Sequence, residues 1–163
     1  GMTSHQSLTY GYTCGGQYNN QGPYTNEIDK FQLATTNTST NIATLPGGTR
    51  SNYSTSGISS STDGYTVGGF ITPPQSINVI EKFSFTSEGS AWDVGDLATI
   101  KSSATTTSET SYGYIHSGSA SPPNYTYQTD IERFAYTSGG TNVSVADIGT
   151  VILAGASGAA AQF

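Results

Sequence analysis

The ionisable side chains of this 163-residue chain recur at fixed intervals. An acid followed directly by a base occurs three times, and the copies are 52 and 51 residues apart. The pairs are Asp29–Lys30, Glu81–Lys82 and Glu132–Arg133. A catalytic site is needed once, whereas a pairing that stabilises each of several units is needed in all of them, and buried charges must be paired. The pattern therefore predicts a ladder of ion pairs or hydrogen bonds between repeated units.

Three further side chains could bind a metal or act as a nucleophile, namely His5, His116 and Cys14. A single cysteine forms neither an intrachain disulfide nor a cysteine-rich metal site. Cys14 and His116 occupy the same position of the repeat described below, where the second unit has Val67, so we interpret this position as neutral variation. The chain has no Gly-x-Ser-x-Gly elbow and no calcium loop of alternating Asp and Asn. We therefore expect no catalytic residues, no metal and no cofactor.

Composition excludes two classes of partner. The net charge is −6, with five basic residues against eleven acidic ones, and those five do not form the basic patch that nucleic acids or anionic membranes require. No apolar run reaches the ~18 residues of a membrane helix, and the first residues lack the features of a secretory signal. We expect no nucleic-acid and no membrane partner, and the sequence leaves the cellular compartment open. The 11 tyrosines and 6 phenylalanines favour strands over disorder.

Three sequence segments recur in the same order along nearly the whole chain. Gly11–Gly16 matches Gly64–Gly69 and, more loosely, Gly113–Gly118, in which Ser117 replaces the first glycine of the final pair. The other two segments are Ile28–Phe31, Ile80–Phe83 and Ile131–Phe134, and then Ile42–Leu45, Val94–Leu97 and Val145–Ile148. Equivalent positions include Tyr12, Tyr65 and Tyr114, and also Phe31, Phe83 and Phe134, which we interpret as packing residues. A repeat of this length is typical of stacked structural units.

Each unit is predicted to form four short strands and no helix, since no segment shows sustained apolar spacing at i, i+3 and i+4. The units cover approximately residues 4–48, 49–99 and 100–150. Four strands in about 50 residues is the size of one β-propeller blade. The sequence therefore predicts an all-β fold made of three four-stranded blades.

The repeat resembles the kelch-type propeller repeat found in the central domain of galactose-oxidase-like proteins. The resemblance rests on the double glycine after an aromatic strand and on the Ile-Glu-Lys-Phe strand, as in Gly64–Gly69 and Ile80–Phe83. It is nearest to repeats found in predicted proteins of marine viruses and bacteria, some of them in phage tails or fibres. The late tryptophan of a kelch blade is present only as Trp92. The resemblance implies a kelch-like propeller and, through its viral examples, a virion-associated location.

Three blades do not close a ring, because known propellers have about four to eight. Two exposed blade faces would form a large apolar surface, and a two-fold symmetric homodimer would cover both by closing six blades. The segment 151–163 follows the third unit where a further strand would begin. We expect it to complete a blade of a neighbouring subunit. The alternative is that the chain is part of a longer array.

The stretches after the double glycines differ between units, and they contain tyrosines and amides suited to recognition. The candidate ligand-binding residues are Tyr18, Tyr24, Tyr125 and Tyr127. We expect a non-catalytic module that presents propeller loops to a glycan or protein partner. The alternative is a structural protein of a virion, tail-like or fibre-like, or of a cell surface. A copper oxidase is a further alternative that the resemblance implies, but the ligands of that family cannot be matched here residue by residue.

Overall fold

The computed structural model describes residues 2–17, 23–46, 56–71, 75–120, 126–139 and 142–149. Over these residues the prediction of an all-β fold is confirmed, because they form 14 strands and no helix. None of them belongs to a helix long and apolar enough to cross a membrane.

Most strands form three four-stranded antiparallel sheets, each a simple meander in chain order. Sheet 1 contains β1 (Thr3–Gln6), β2 (Tyr10–Gln17), β3 (Tyr24–Gln32) and β4 (Thr40–Thr44). Sheet 2 contains β5 (Ser56–Ser59), β6 (Asp63–Val67), β9 (Val79–Ser84) and β10 (Trp92–Asp96), and β7 (Phe70–Ile71) and β8 (Gln75–Ser76) form a hairpin between β6 and β9. Sheet 3 contains β11 (Thr105–Ser108), β12 (Tyr112–His116), β13 (Asp130–Ala135) and β14 (Val143–Asp147).

The glycine before each repeated tyrosine makes room for an aromatic ring. Gly64 lies opposite Phe83 in the β6–β9 pairing, and a Cβ atom at Gly64 would lie 2.5 Å from the Phe83 ring. Gly11 and Gly113 are related in the same way to Phe31 and Phe134. The first residue of the Gly-Tyr segment is therefore fixed by packing across the strand pair.

The double glycines are fixed by backbone conformation instead. The φ angles are 63° and 122° at Gly15–Gly16, 59° and 105° at Gly68–Gly69, and 53° and 116° at Ser117–Gly118. These left-handed values favour glycine. Ser117 has the same left-handed φ angle as Gly15 and Gly68, although it is not a glycine. The backbone conformation is therefore repeated in the third sheet even where the glycine is replaced.

The sheets pack face against face, with sheet 2 between sheets 1 and 3. We call the face that carries Phe31, Phe83 or Phe134 the leading face, and the opposite face, with Tyr12, Tyr65 or Tyr114, the trailing face. The trailing face of sheet 1 packs on the leading face of sheet 2, in a core that includes Tyr12, Ile28, Leu45 and Phe83. The trailing face of sheet 2 packs on sheet 3 through an equivalent core, which includes Tyr65, Ile80, Leu97 and Phe134.

The last strand of every sheet has an extra residue at the same place. The register shifts between Ala43 and Asn41, between Asp93 and Gly95, and between Ala146 and Ser144. The residues left out of the ladder are Ile42, Val94 and Val145. Each outer edge strand therefore has a β-bulge, which bends the strand and increases its twist.

One connection differs from the structure expected from the sequence. The stretch after the second double glycine was expected to be a loop, but β7 and β8 form a short hairpin there, since Phe70 pairs with Ser76 and Ile71 with Gln75. The segment 151–163, expected to complete a neighbouring blade, lies outside the described residues. Sheet 1 already contains four strands of its own.

Candidate binding surface

A buried ion cluster joins sheets 2 and 3 where β10 connects to β11. Lys101 is fully buried, and its Nζ atom lies 2.7 Å from Asp130 Oδ2 and 2.9 Å from Glu132 Oε1. Both acids are on β13, two residues apart, so their side chains share the leading face of sheet 3. The lysine comes from the preceding connection, and the pair therefore crosses from one sheet to the next.

Glu132 is held by more than its lysine. The Ala98 N–H and the Asn142 Nδ2 amide donate to Glu132 Oε2 at 2.7 and 3.1 Å, and the Thr99 hydroxyl donates to Oε1 at 3.0 Å. Burial opposes ionisation of Glu132, but the hydrogen bonds from Lys101, Ala98 and Thr99 outweigh it and lower the pKa of the carboxyl. The cluster therefore stabilises the charged carboxylate and fixes the connection to sheet 3.

The connection between β10 and β11 also forms hydrogen bonds at the edge of the sheets where the double glycines lie. The Gly69 N–H donates to the Lys101 carbonyl at 2.8 Å, and the Lys101 N–H donates to the Ile77 carbonyl at 3.3 Å. Ser102 and Ser119 exchange two backbone hydrogen bonds of 2.9 Å. The connections between the second and third strands of sheets 2 and 3 thus start from a hydrogen-bonded base. We call this side of the molecule the connection edge.

Two of the four predicted ligand-binding tyrosines lie at the connection edge. Tyr24 begins β3 and is 37% exposed, and Tyr127, which bridges to Ser119, is 44% exposed. Tyr24 is part of sheet 1, and Tyr127 lies in the connection that leads into β13 of sheet 3, so sheet 2 lies between them. Tyr18 and Tyr125 lie outside the described residues.

The three repeated bases have different partners. Lys30 forms an ion pair with Glu88, in the turn between β9 and β10, whereas Lys82 pairs at 3.2 Å with Asp63 of its own sheet. Arg133 instead lies over the Tyr112 ring, at 4.4 Å from its centroid. Of the repeated acids, Glu81 is buried like Glu132, and Asp29 is half-buried and accepts from Asn41 Nδ2 at 3.4 Å.

A cleft of about 250 Å³ opens between sheets 2 and 3, toward the edge opposite the double glycines. It is lined by Lys82, Trp92, Tyr136 and the turn Thr137–Gly139. The Lys82 Nζ atom lies 5.8 Å from the Trp92 ring centroid, and the indole is 46% exposed. The equivalent cleft between sheets 1 and 2 contains the Lys30–Glu88 ion pair instead. Trp92 therefore offers a flat apolar face next to polar groups, on which a planar or sugar ring could stack.

The residues considered for metal or nucleophilic chemistry lie in separate environments. Cys14 and His116 lie on the trailing faces of sheets 1 and 3, and burial raises the pKa of the Cys14 thiol, which disfavours the reactive thiolate. His5 is buried between sheets 1 and 2, where burial lowers its pKa to about 4. Among the described residues, no three His, Cys, Asp or Glu side chains are grouped so that they could hold a metal ion.

Several contributors to these sites are not apparent in the repeat. Asn142 and Glu88 have no equivalent acid or amide in the other units, so the periodicity gives no sign of them. Asp130 corresponds to Glu27 in the first unit but to Val79 in the second, so the repeat marks it only in part. A weak signal exists for Asp130, which lies two residues before Glu132 and therefore on the same strand face. Trp92 is the single tryptophan of the chain, and its exposure follows from its place in an edge strand.

Comparison with known proteins adds evidence on the fold. No protein-family model and no curated protein sequence matches the chain. The solved structure of YjhT is similar, with a TM-score of 0.73 and 13% sequence identity. The similarity covers 91% of this chain and 52% of the YjhT chain, so this chain spans about half the length of YjhT. At this identity the similarity concerns the fold, a propeller-like arrangement of four-stranded antiparallel sheets.

Proposed function

We propose that the three sheets are blades of a kelch-like β-propeller, and that the chain is a non-catalytic recognition module whose ligand binds at the connection edge. One observation supports this most directly. The sheets repeat strand by strand, whereas the sequences that connect their second and third strands differ in each sheet. Sheet 2 alone among the described regions has the β7–β8 hairpin there. Variable loops on a rigid scaffold are the usual place for binding residues.

The chemistry of the connection edge favours a neutral glycan as the ligand. Tyr24 and Tyr127 present exposed aromatic faces, and the chain around them is rich in hydroxyl and amide groups. Sugar rings bind by stacking on aromatic faces while their hydroxyls form directional hydrogen bonds. The Lys101 cluster beneath the edge holds the base of the connections in place, which reduces the entropy lost on binding.

A glycan array probed with the purified chain tests this proposal. We expect saturable binding to a defined set of glycans, reduced at least tenfold by Tyr127→Ser or Tyr24→Ser. Trp92→Ser is the matched control, since it removes an exposed aromatic side chain toward the opposite edge. Binding lost in Trp92→Ser but kept in both tyrosine variants would place the ligand in the cleft between sheets 2 and 3. If the chain binds no glycan but binds a component of a peptide or protein array, the ligand is a peptide or protein rather than a glycan.

A structural role is the second candidate, and a different observation favours it. Among the described residues, sheets 1 and 3 each have an apolar face that is partly exposed, at Phe31 and Leu33 in sheet 1 and at Val145 in sheet 3. Such faces are typical of surfaces that assemble. A purely structural protein of a virion or cell surface would bind no glycan or peptide and would form assemblies larger than a dimer. Absence of ligand binding together with such assemblies would favour this role over recognition.

A further inference from the structure

Both internal junctions between sheets use the same aromatic pairing. Across the first, Tyr12 of sheet 1 lies 5.6 Å from Phe83 and is stacked at 4.7 Å on Phe85, measured between ring centroids. Across the second, Tyr65 of sheet 2 lies 5.2 Å from Phe134 and is stacked at 5.1 Å on Tyr136. A trailing-face tyrosine therefore packs against two rings, two residues apart, on the next leading face.

The leading face of sheet 1 carries the same positions, and none of the described strands packs against them. Phe31 and Leu33 are 36% and 45% exposed, whereas the equivalent Phe83 and Phe85 are 0% and 8% exposed. A hollow of about 440 Å³ borders Phe31 and Leu33 and extends past β1 to Ser59 of sheet 2 and Ser108 of sheet 3. The exposure of Phe31 and Leu33 makes this face one half of a junction.

The trailing face of sheet 3 carries the other half. Tyr114 is half-buried, whereas its equivalents Tyr12 and Tyr65 are fully buried. Val145 is 43% exposed, although the equivalent Ile42 and Val94 pack against the core of the following junction. This face therefore lacks the covering that the trailing faces of sheets 1 and 2 have.

We infer that a second copy of this chain covers both faces at once. Tyr114 then packs against Phe31 and Leu33 of the partner subunit, and a two-fold axis generates the same contact in the other direction. The result is a closed ring of six sheets in which all six junctions are of one kind. A two-fold arrangement satisfies both open faces with a single partner, which an unclosed array cannot do.

Two further observations support a second copy as the occupant. The first strands of neighbouring sheets, β1, β5 and β11, are linked by equivalent hydrogen bonds. The Gln6 N–H donates to Ser59 Oγ and the Ser59 N–H donates to Ser108 Oγ, both at 3.1 Å. One junction geometry is therefore repeated from sheet to sheet. In addition, the chain spans 52% of the YjhT chain, so two copies correspond to about its whole length.

The proposal is tested by measuring the mass in solution by light scattering coupled to size exclusion. We expect a mass near twice the 16.9 kDa of one chain. Leu33→Glu damages the leading face and Val145→Glu the trailing face, and each variant alone should be monomeric. Leu8→Glu is the matched control, because Leu8 is 91% exposed in the turn between β1 and β2, and it should remain dimeric.

Mixing the two monomeric variants distinguishes this ring from any other dimer. A mixed pair has one junction with both damaged faces and one junction that is intact, so dimers should re-form on mixing. A dimer that joins like faces would instead leave one of the two variants dimeric, and that result would overturn the proposal. A monomeric wild-type chain would also overturn the proposal, since both open faces would then be stable without a partner subunit. An assembly that grows without a fixed number of subunits would overturn it as well.

Hydrogen exchange provides a second measurement that requires no variant. On dilution below the dimer dissociation constant, protection should fall around Phe31–Leu33 and Tyr114 and should stay unchanged in β9. Uniform protection at every concentration would contradict the proposal. The dimeric ring and glycan recognition are independent proposals. The mass in solution tests the first and the glycan array tests the second, so one can be wrong while the other holds.

Discussion

At the scale of single residues, the Lys101 cluster places charged groups, the Lys101 ammonium and the Glu132 carboxylate, in the fully buried interior. Taking charges out of water costs several kcal/mol per ion, which pairing and hydrogen bonds must offset. Here one buried ammonium contacts two carboxylates, and the inner carboxylate accepts three further hydrogen bonds from Ala98, Thr99 and Asn142. Every group in the cluster therefore depends on the others.

Removing the lysine should accordingly be costly. We expect Lys101→Met to lower the free energy of unfolding by about 3–5 kcal/mol, because it leaves the Glu132 carboxylate buried without its counter-ion. Urea unfolding followed by Trp92 fluorescence measures this. Lys30→Met is the matched control, since its partner Glu88 is exposed, and it should cost about 1 kcal/mol or less. Adding Glu132→Gln to Lys101→Met should recover part of the loss, and equal effects of the two lysine changes would refute this account.

His5 gives the fold a dependence on pH. The ring donates from Nδ1 to the Ile58 carbonyl at 3.1 Å, accepts at Nε2 from the Thr66 hydroxyl at 3.4 Å, and lies edge-on to Phe83. This arrangement suits the neutral tautomer. Burial lowers the pKa from 6.5 to about 4, so below pH 6.5 the unfolded chain takes up a proton that the folded chain does not. Stability is therefore lost as the pH falls through this range.

The expected loss between pH 7 and pH 5 is about 2 kcal/mol in the free energy of unfolding, at a fixed chain concentration. His5→Asn should remove most of this difference, because an amide does not titrate. His116→Asn serves as the control and should keep most of it, since His116 is less deeply buried. A wild-type chain equally stable at both pH values would show that His5 titrates normally in the fold.

At the scale of elements, the strands and their order could be predicted from the sequence because packing fixes them. Gly64 is opposite Phe83 and Gly113 is opposite Phe134, so the same residue types must recur wherever the same two strands meet. Partners of the repeated bases could not be predicted in this way. Lys30 contacts Glu88, whereas Gly139 occupies the equivalent turn position beside sheet 2, and Lys82 pairs with Asp63 instead.

Turns and connections were the other part beyond prediction. The β7–β8 hairpin consists of two backbone pairs, and strands of two residues are too short to show the alternation of apolar and polar residues by which a strand is predicted. The candidate site was predicted only in part for the same reason. Tyr24 and Tyr127 were identified from the variable stretches, but the Asp130–Lys101 contact brings together residues 29 positions apart through a connection that no local pattern specifies.

The packing of glycine against phenylalanine can be tested directly. We expect Gly64→Ala to destabilise the fold by about 1–3 kcal/mol, because its Cβ atom would overlap the Phe83 ring in a well-packed core. Gly89→Ala is the control, since nothing lies within 4 Å of a Cβ atom there, and it should have almost no effect. Thermal unfolding of both variants measures the difference. A smaller cost of Gly64→Ala in a Phe83→Leu background than in the wild-type chain would assign the cost to the ring, and an equal cost in both backgrounds would contradict that.

At the scale of the whole molecule, stability and association should be coupled. If the open faces of sheets 1 and 3 are covered only in the dimer, the midpoint of thermal unfolding should rise with chain concentration. Differential scanning calorimetry over a hundredfold range of concentration measures this. The monomeric Leu33→Glu variant should show no such rise. A midpoint independent of concentration in the wild-type chain would contradict the coupling.

The bulges in β4, β10 and β14 bear on how such an assembly stops growing. An exposed edge strand has unpaired backbone N–H and C=O groups that can pair with strands of other molecules. Such pairing leads to aggregates of no fixed size. The extra residue at Ile42, Val94 and Val145 interrupts the ladder in each outer strand and twists it away from a flat edge. A chain with few charged residues for its length thus discourages lateral growth through backbone shape rather than through lysines at its edges. In the proposed dimer, association is left to the sheet faces, where geometry can limit it to a finite number of subunits.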